Sequence, residues 1–348
     1  MECVLAVETS CDDTSVAIVK DSGYVVCQVS AHQDLAHAPY GGIVPEIASR
    51  NHSVALLPLI THVLEKAQLN WSQINGLAVT NRPGLIGSLI VGIMTIKTIS
   101  QAYDIPLIGV NHLEGHLLAP FLKDDQYAPP QVFNYPYLAL AVSGGHTSLY
   151  WVAEFGQYTV VGTTKDDAAG EAFDKFAKMA GLGYPGGAQV DRFAQNGNTA
   201  AYDFPRSLAI EDNLMMSFSG LKSSAQRMLE KMGPEEVLKN RGDLCASFQE
   251  AIVDILVKKM IRASERFNCK KIVLTGGVSA NTRLRAQFQA VALKHNFQVV
   301  IPPLRYCTDN AAMIAYTGLL KLQRGEKSDL TLGPSSQSFE NDFKFDLQ

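Results

Sequence analysis

Val4-Leu5-Ala6-Val7-Glu8-Thr9-Ser10-Cys11-Asp12-Asp13-Thr14-Ser15-Val16-Ala17-Ile18-Val19 is the stretch that decides the fold, together with its echo from Tyr137 to Ala153. The first stretch is a short apolar run, a small polar turn (Thr9–Thr14) and a second apolar run, followed by a third at Tyr24–Val29. The second repeats it: Tyr137–Val142, the turn Ser143-Gly144-Gly145-His146-Thr147, Ser148–Ala153, then Tyr158–Gly162. Apolar runs of this length between polar turns suit strands of a buried sheet. The return of strand, turn, strand, strand points to an internal duplication.

Working outward, residues 51–68 have helical periodicity, Gly76–Thr80 reads as a strand, 85–103 as an apolar helix, Pro106–Val110 as a strand and 112–122 as a helix. Asp124–Pro136, with charges and adjacent prolines, reads as a linker. Helices are expected near 168–181, 218–231, 235–267, 281–295 and 310–324, with strands at Ile272–Thr275 and Gln298–Ile301. The expected division is an N-terminal lobe 1–130, a C-terminal lobe 131–325 with a helical insertion at about 168–267, and a tail 326–348.

The 348 residues are 47% hydrophobic and 18% charged, against about 25% charged in an average globular chain. That composition implies a large buried core and excludes a disordered chain, a coiled coil or a collagen-like repeat. A formal charge of −4 advertises no general affinity for nucleic acid, so any RNA contact must come from local patches or helper proteins. The six cysteines form no C-x-x-C pair, which fits a reducing compartment better than a disulfide scaffold. Glu2 and Glu8 stand where a signal peptide would carry basic residues. The apolar stretch Leu85–Ile96 is 12 residues long, short of the roughly 20 a bilayer needs. A soluble, cytoplasmic protein with no membrane partner is expected.

Several motifs carry chemistry. In Asn111-His112-Leu113-Glu114-Gly115-His116, a helix places His112 and His116 about 40° apart on one face. Two such imidazoles can share a metal ion; they can also be ordinary helix histidines. Glu114 falls roughly 200° round from His112, unlike the glutamate of an H-E-x-x-H zinc protease. Ser143–Thr147 is either a plain hairpin turn or a glycine loop whose N–H groups hold an anion. Gly276-Gly277-Val278-Ser279-Ala280-Asn281 joins an expected strand to a helix, where backbone N–H groups can meet a phosphate. It is neither G-x-G-x-x-G nor a Walker loop. With Tyr184-Pro185-Gly186-Gly187 the glycine turns together favour a nucleotide cleft. Asp12-Asp13 in the first turn is mirrored by Thr308-Asp309-Asn310, where Asp309 either caps the last long helix or completes a His-His-Asp set suited to iron or zinc. Lys258, Arg262 and Arg266 share a helical face, near Lys259, Lys270 and Lys271; this is a solvated face or an RNA-backbone contact.

Taken together, these motifs resemble the bacterial tRNA N6-adenosine threonylcarbamoyltransferases, formerly called O-sialoglycoprotein endopeptidases. The matching stretches run in the family's order through Glu8–Thr14, Tyr40–Arg50, His112–Pro120, Val142–Thr147, Gly170–Lys175, Tyr184–Gly187, Ser217–Lys222, Gly276–Asn281 and Thr308–Ala312. The resemblance implies an α/β, actin-like ATPase (ASKHA) fold of two duplicated lobes around a central nucleotide cleft. It implies transfer of threonylcarbamoyl from threonylcarbamoyl-AMP to N6 of adenosine 37, in the anticodon loop of tRNAs reading codons that begin with A, with release of AMP and formation of t6A. Carried over by position, His112, His116 and Asp309 hold one divalent metal ion per subunit, iron or alternatively zinc. Ala141, Val142, Ser143, Gly144 and Gly145, with Asp174, Gly187, Asp191 and Asn281, hold the adenylate. A carboxylate that takes the amine's proton would help; Asp12 is the first choice and Asp13 the second. The implied partners are the tRNA, a paralogous subunit (TsaB) and a P-loop ATPase (TsaE).

The chain departs from the family's pattern in three places. Asp13 replaces a usual Glu, Asn81-Arg82-Pro83-Gly84 replaces Ala-Gly-Pro-Gly, and Ala141 replaces a common Leu. The competing functions are a metalloprotease, a non-catalytic scaffold of the same fold, and a sugar or acetate kinase.

Overall fold

The computed structural model describes residues 3–209, 212–338 and 342–347. The chain forms two compact units: one takes the residues up to Gln131 together with Pro302–Asp342, the other Val132–Ile301 and the residues from Phe343 on.

The first unit is built on β1 (Cys3–Glu8), β2 (Thr14–Lys20), β3 (Tyr24–Ala31), β4 (Gly76–Arg82) and β5 (Leu107–Asn111), in the order β3-β2-β1-β4-β5. β1 pairs antiparallel with β2 and parallel with β4. Every residue of β1 is buried. Alternation sends Cys3, Leu5 and Val7 to one face, among side chains of α2 (Pro45–Ala67) and α3 (Ile86–Tyr103). Val4 and Ala6 go to the other face, against α12 (Ala311–Gln323). A strand covered on both faces has no polar side, which is why it reads as an unbroken apolar run. The unit also holds α1 (Asp34–His37), α4 (His112–Leu118) and α11 (Leu304–Cys307). α4 stops short of the expected 122 because Pro120 opens a separate 3-10 turn at Ala119–Phe121. α3 is 18 residues long and apolar enough to cross a membrane by length and composition; here Leu89, Ile93 and Ile96 are buried in the core.

The second unit repeats the plan. β6 (Tyr137–Val142), β7 (Thr147–Glu154), β8 (Gln157–Thr163), β9 (Lys271–Thr275) and β10 (Gln298–Val300) run in the order β10-β9-β6-β7-β8, and β11 (Lys344–Phe345) adds to the β8 edge. Reversed, β8-β7-β6-β9-β10 matches β3-β2-β1-β4-β5 strand for strand, with the same antiparallel and parallel pairings. The expected duplication is therefore present in the topology. Between β8 and β9 lie α5 (Ala169–Met179), α6 (Gly186–Ala194), α7 (Ser219–Met232), α8 (Pro234–Lys239) and α9 (Arg241–Arg266), and α10 (Thr282–His295) follows β9. The single helix expected over 235–267 is two, broken at Asn240, whose φ of −104° and ψ of 13° are not helical. Of the basic cluster on α9, Lys258 is exposed, but Lys259 is fully buried and donates to the Asn213 carbonyl at 2.7 Å.

The expected contiguous division needs one correction. Residues 302–342 return to the first unit rather than extending the second to 325. The reason is the apolar face of α12, whose Ala311, Ala315 and Leu319 complete the core on the far side of β1 and β4.

Candidate active site

In the first unit, β5 ends at Asn111, whose side-chain oxygen accepts from Leu113 N at 2.8 Å and caps α4. The helix opens on His112 and carries His116 one turn later, with the two rings edge-to-face at 4.7 Å between centroids. Asp309 reaches both: its Oδ1 lies 3.2 Å from His112 Nε2 and 3.3 Å from His116 Nε2. One ligand atom from each of the three residues lies within 4.8 Å of the others. Asp309 is not the cap of α12; Asn310 is, accepting from Met313 N at 3.0 Å, which leaves the aspartate free for the histidines.

A fourth residue supports the set. His112 Nδ1 donates to Glu8 Oε2 at 3.0 Å, and Glu8, fully buried, also accepts from Thr80 Oγ1 and from Ser10 N at 2.5 Å. A carboxylate on the far ring nitrogen fixes the orientation of a metal-binding imidazole and raises its basicity. Sequence reasoning missed this role. The available signal was a lone carboxylate closing an otherwise apolar strand. Burial alone would strip charge from His112, but Asp309 and Glu8 outweigh it and hold the imidazole well above its ordinary range. Burial lowers the pKa of His116. Asp309 is pushed up by burial and, more strongly in sum, pulled well below the usual carboxylate range by the histidines. Two imidazoles and a carboxylate so arranged could hold a divalent metal ion, a donor set that suits iron or zinc.

Glu114 points elsewhere and pairs with Lys321 on α12 at 3.1 Å. It is not at the histidine pair, which removes the structural basis of the protease alternative.

Asp12 and Asp13 occupy the turn between β1 and β2. His52, on the buried stripe of α2 with Ala48 and Leu56, clamps that turn at both ends. Its Nε2 donates to the Cys11 carbonyl at 3.0 Å and its Nδ1 accepts from Thr14 Oγ1 at 2.7 Å. Burial, then the charge of Asp309, raises Asp12 above the usual carboxylate range. Asp13 is pushed up to about 7, by burial first, with Asp12 and Asp309 adding to it and His32 opposing. His32 Nδ1 donates to Asp13 Oδ1 at 2.9 Å. Arg82, the bulky departure, is held in two hydrogen bonds by Asp342, Nε to Oδ2 at 2.7 Å and Nη2 to Oδ1 at 2.5 Å. Its charge is matched by protein rather than held ready for phosphate.

The nine adenylate candidates all lie in the second unit, where contacts join them in one ring. Ala141 and Val142 end β6, and Ser143-Gly144-Gly145 forms the turn into β7. Gly276, at φ +86°, packs so closely on β6 that a Cβ would fall 2.4 Å from the Val142 carbonyl oxygen. Asn281 then caps α10 through Leu284 N at 2.9 Å. Asp191 accepts from Thr282 Oγ1 at 2.8 Å, and Asp174 Oδ1 accepts from Gly186 N at 2.9 Å and Gly187 N at 3.3 Å. A Cβ on Gly144, Gly145 or Gly277 would meet nothing within 4 Å, so these backbones face open space. Tyr184–Gly187 is thus no free turn. Its glycines open α6, capped by a side chain from α5 that the local sequence does not announce.

Two units of duplicated β-sheet topology, one with a His-His-Asp cluster and one with a glycine-walled loop ring, define an enzyme of the actin-like ATPase fold. Solved structures of that fold agree: Thermococcus kodakarensis HypF superposes with a TM-score of 0.62 at 12% identity, covering 93% of this chain and 48% of that one. Component A of the (R)-2-hydroxyglutaryl-CoA dehydratase of Acidaminococcus fermentans gives 0.54 at 14% identity, covering 93% and 100%. Sequence comparison is more specific. The profile of the TsaD family, tRNA N6-adenosine threonylcarbamoyltransferase, matches residues 24–316. A protein of that name from Bdellovibrio bacteriovorus is 64% identical over 344 residues, covering 99% of this chain and 100% of the relative. One from Anaeromyxobacter dehalogenans strain 2CP-C is 48% identical, covering 95% and 98%. The chain belongs to the tRNA N6-adenosine threonylcarbamoyltransferase family and is a transferase acting on tRNA.

Proposed function

We propose that the protein moves the threonylcarbamoyl group from threonylcarbamoyl-AMP to N6 of adenosine 37 of tRNAs reading codons that begin with A, releasing AMP, with help from one metal ion. The observation that carries this is the convergence of His112, His116 and Asp309, backed by Glu8, within electrostatic reach of Asp12 and Asp13.

The donor is a mixed carbamoyl–phosphate anhydride, and AMP is a good leaving group. Gly144-Gly145 and Gly276-Gly277 offer backbone N–H groups to the adenylate, Ser143 closes the turn by donating its N–H to the His146 carbonyl at 2.8 Å, and Asp174, Asp191 and Asn281 hold the starts of α6 and α10 in place. Gly187, Ala141 and Val142 complete this seat. His112, His116 and Asp309 would hold a divalent ion, iron or alternatively zinc, which would supply Lewis-acid stabilisation of negative charge on oxygen. The adenine amine is a poor nucleophile because its lone pair is shared with the ring. A base positioned at the acidic turn of Asp12 and Asp13 takes the proton it gives up. The reaction takes place in the cytoplasm, with a paralogous TsaB subunit and the P-loop ATPase TsaE supplying functions that this acidic chain lacks alone.

Reconstitution tests this directly. With both partners, radiolabelled threonylcarbamoyl-AMP and unmodified tRNA, label enters the tRNA at adenosine 37 with an equal yield of AMP. Unlabelled tRNA under those conditions removes the transferase mechanism; a His116→Ala variant with full activity removes the metal's part in it.

A further inference from the structure

We propose that Asp13 does not take the proton itself but orients His32, whose Nε2 is the acceptor; this rests on the transfer reaction proposed above. The register of the first sheet sets up the pair. β2 and β3 are antiparallel with Thr14 opposite Ala31, so the residue before β2 and the residue after β3 stand side by side. Those residues are Asp13 and His32, and their side chains meet at 2.9 Å.

The burial of the two differs in a useful way. The Asp13 side chain is 18% exposed and that of His32 is 63%. An ordinary surface ion pair has both groups in water and is worth little. Here the carboxylate is inside and the imidazole outside, the arrangement of a base held by its orienting partner. Above about pH 7 the Asp13 carboxylate is ionised and can only accept, so Nδ1 then carries the proton of this hydrogen bond. In the neutral ring Nε2 then keeps its lone pair, and among the described residues no protein group is recorded on that atom. The turn is held at both ends by His52, so the dyad stands on a fixed base. The charged groups acting on Asp13 are His32, Asp12 and Asp309, and Asp34 faces Asp12. The pair also accounts for the shorter residue at position 13. An aspartate that works through an imidazole does not need the reach of a glutamate.

The step balances as follows. The N6 lone pair forms the new bond to the carbamoyl carbon. The bond from that carbon to the phosphate oxygen breaks, and its electron pair leaves with AMP. The proton lost from N6 goes to His32 Nε2, giving an imidazolium paired with the Asp13 carboxylate, which later returns the proton to solvent.

The test uses the full protein with its partners. His32→Ala is expected to lower kcat roughly 100-fold with KM for donor and tRNA unchanged. Added imidazole, scored against wild type in the same imidazole, is expected to restore it at least ~10-fold toward the lost rate. Because His32 is exposed, thermal unfolding of the variant should match wild type, and His32→Gln should be as slow as His32→Ala without the added base. An active wild type with a fully active His32→Ala overturns the inference alone, as does a loss that imidazole never restores. A wild type that transfers nothing overturns the proposed reaction, and this step with it.

Discussion

His112 is gripped at both ring nitrogens, Nδ1 by Glu8 and Nε2 by Asp309. If Glu8 orients the ring for a metal, Glu8→Gln weakens metal binding by about 10- to 100-fold without removing a ligand; competition against a chromogenic zinc chelator reads this, and unchanged affinity would show that Glu8 is only structural. Asp13 gives a pH-dependent prediction. Its folded pKa of about 7 lies above the roughly 3.9 of an unfolded aspartate. The folded state binds the extra proton between those values, so this stability is complete below about pH 4 and is lost as pH rises through about 7. Asp13→Asn should therefore unfold a few degrees higher than wild type at pH 8 and at nearly the same temperature at pH 4, by calorimetry. At this scale the sequence was partly legible. His112 and His116 could be paired because their spacing alone puts them on one helix face. Glu8, His32 and His52 could not, because their partners lie across strands or on another helix.

Elements position these residues, and two of them make separable predictions. α4 is tied to α12 by buried Glu114 and half-buried Lys321 at 3.1 Å. Glu114→Gln leaves Lys321 only the more distant Glu326 carboxylate at 3.8 Å and should cost stability, about 1 kcal/mol, while metal stoichiometry stays at wild type; denaturant unfolding and metal analysis on one preparation separate the two. A protease built on Glu114 predicts the opposite division. In the second unit, Gly276→Ala places a methyl against the Val142 carbonyl at a positive φ, so the loop must shift. A loss of at least ~2 kcal/mol, with weaker AMP binding by calorimetry, is expected. Strands were legible because both sheets are covered on both faces, which makes each strand an apolar run. α6 was not, since its cap comes from Asp174 in the preceding helix rather than from a residue beside it. The break at Asn240 was hidden for a different reason: apolar periodicity continues on both sides of it.

For the whole molecule, the repeated strand order in the two units accounts for the echo between Val4–Val19 and Tyr137–Ala153. Each copy opens with a hairpin whose turn holds candidate site residues: carboxylates in the first, glycines in the second. In the proposed reaction the ligand and acid–base side chains come from the unit of β1–β5 and the backbone N–H groups from that of β6–β11. The return of 302–342 to the first unit was not legible, because it depends on which sheet α12 covers. Its consequence is chemical, since it brings Asp309 to His112 and His116 from almost two hundred residues away, by a chain separation of 193 for the second. Everything proposed for the reaction depends on that meeting. Cobalt(II) titration of the metal-free protein tests it most directly, through the d–d absorption of a bound ion. One site per chain is expected in wild type, abolished in both His116→Ala and Asp309→Ala and retained in Glu114→Gln. Full cobalt binding by His116→Ala or Asp309→Ala would contradict the account.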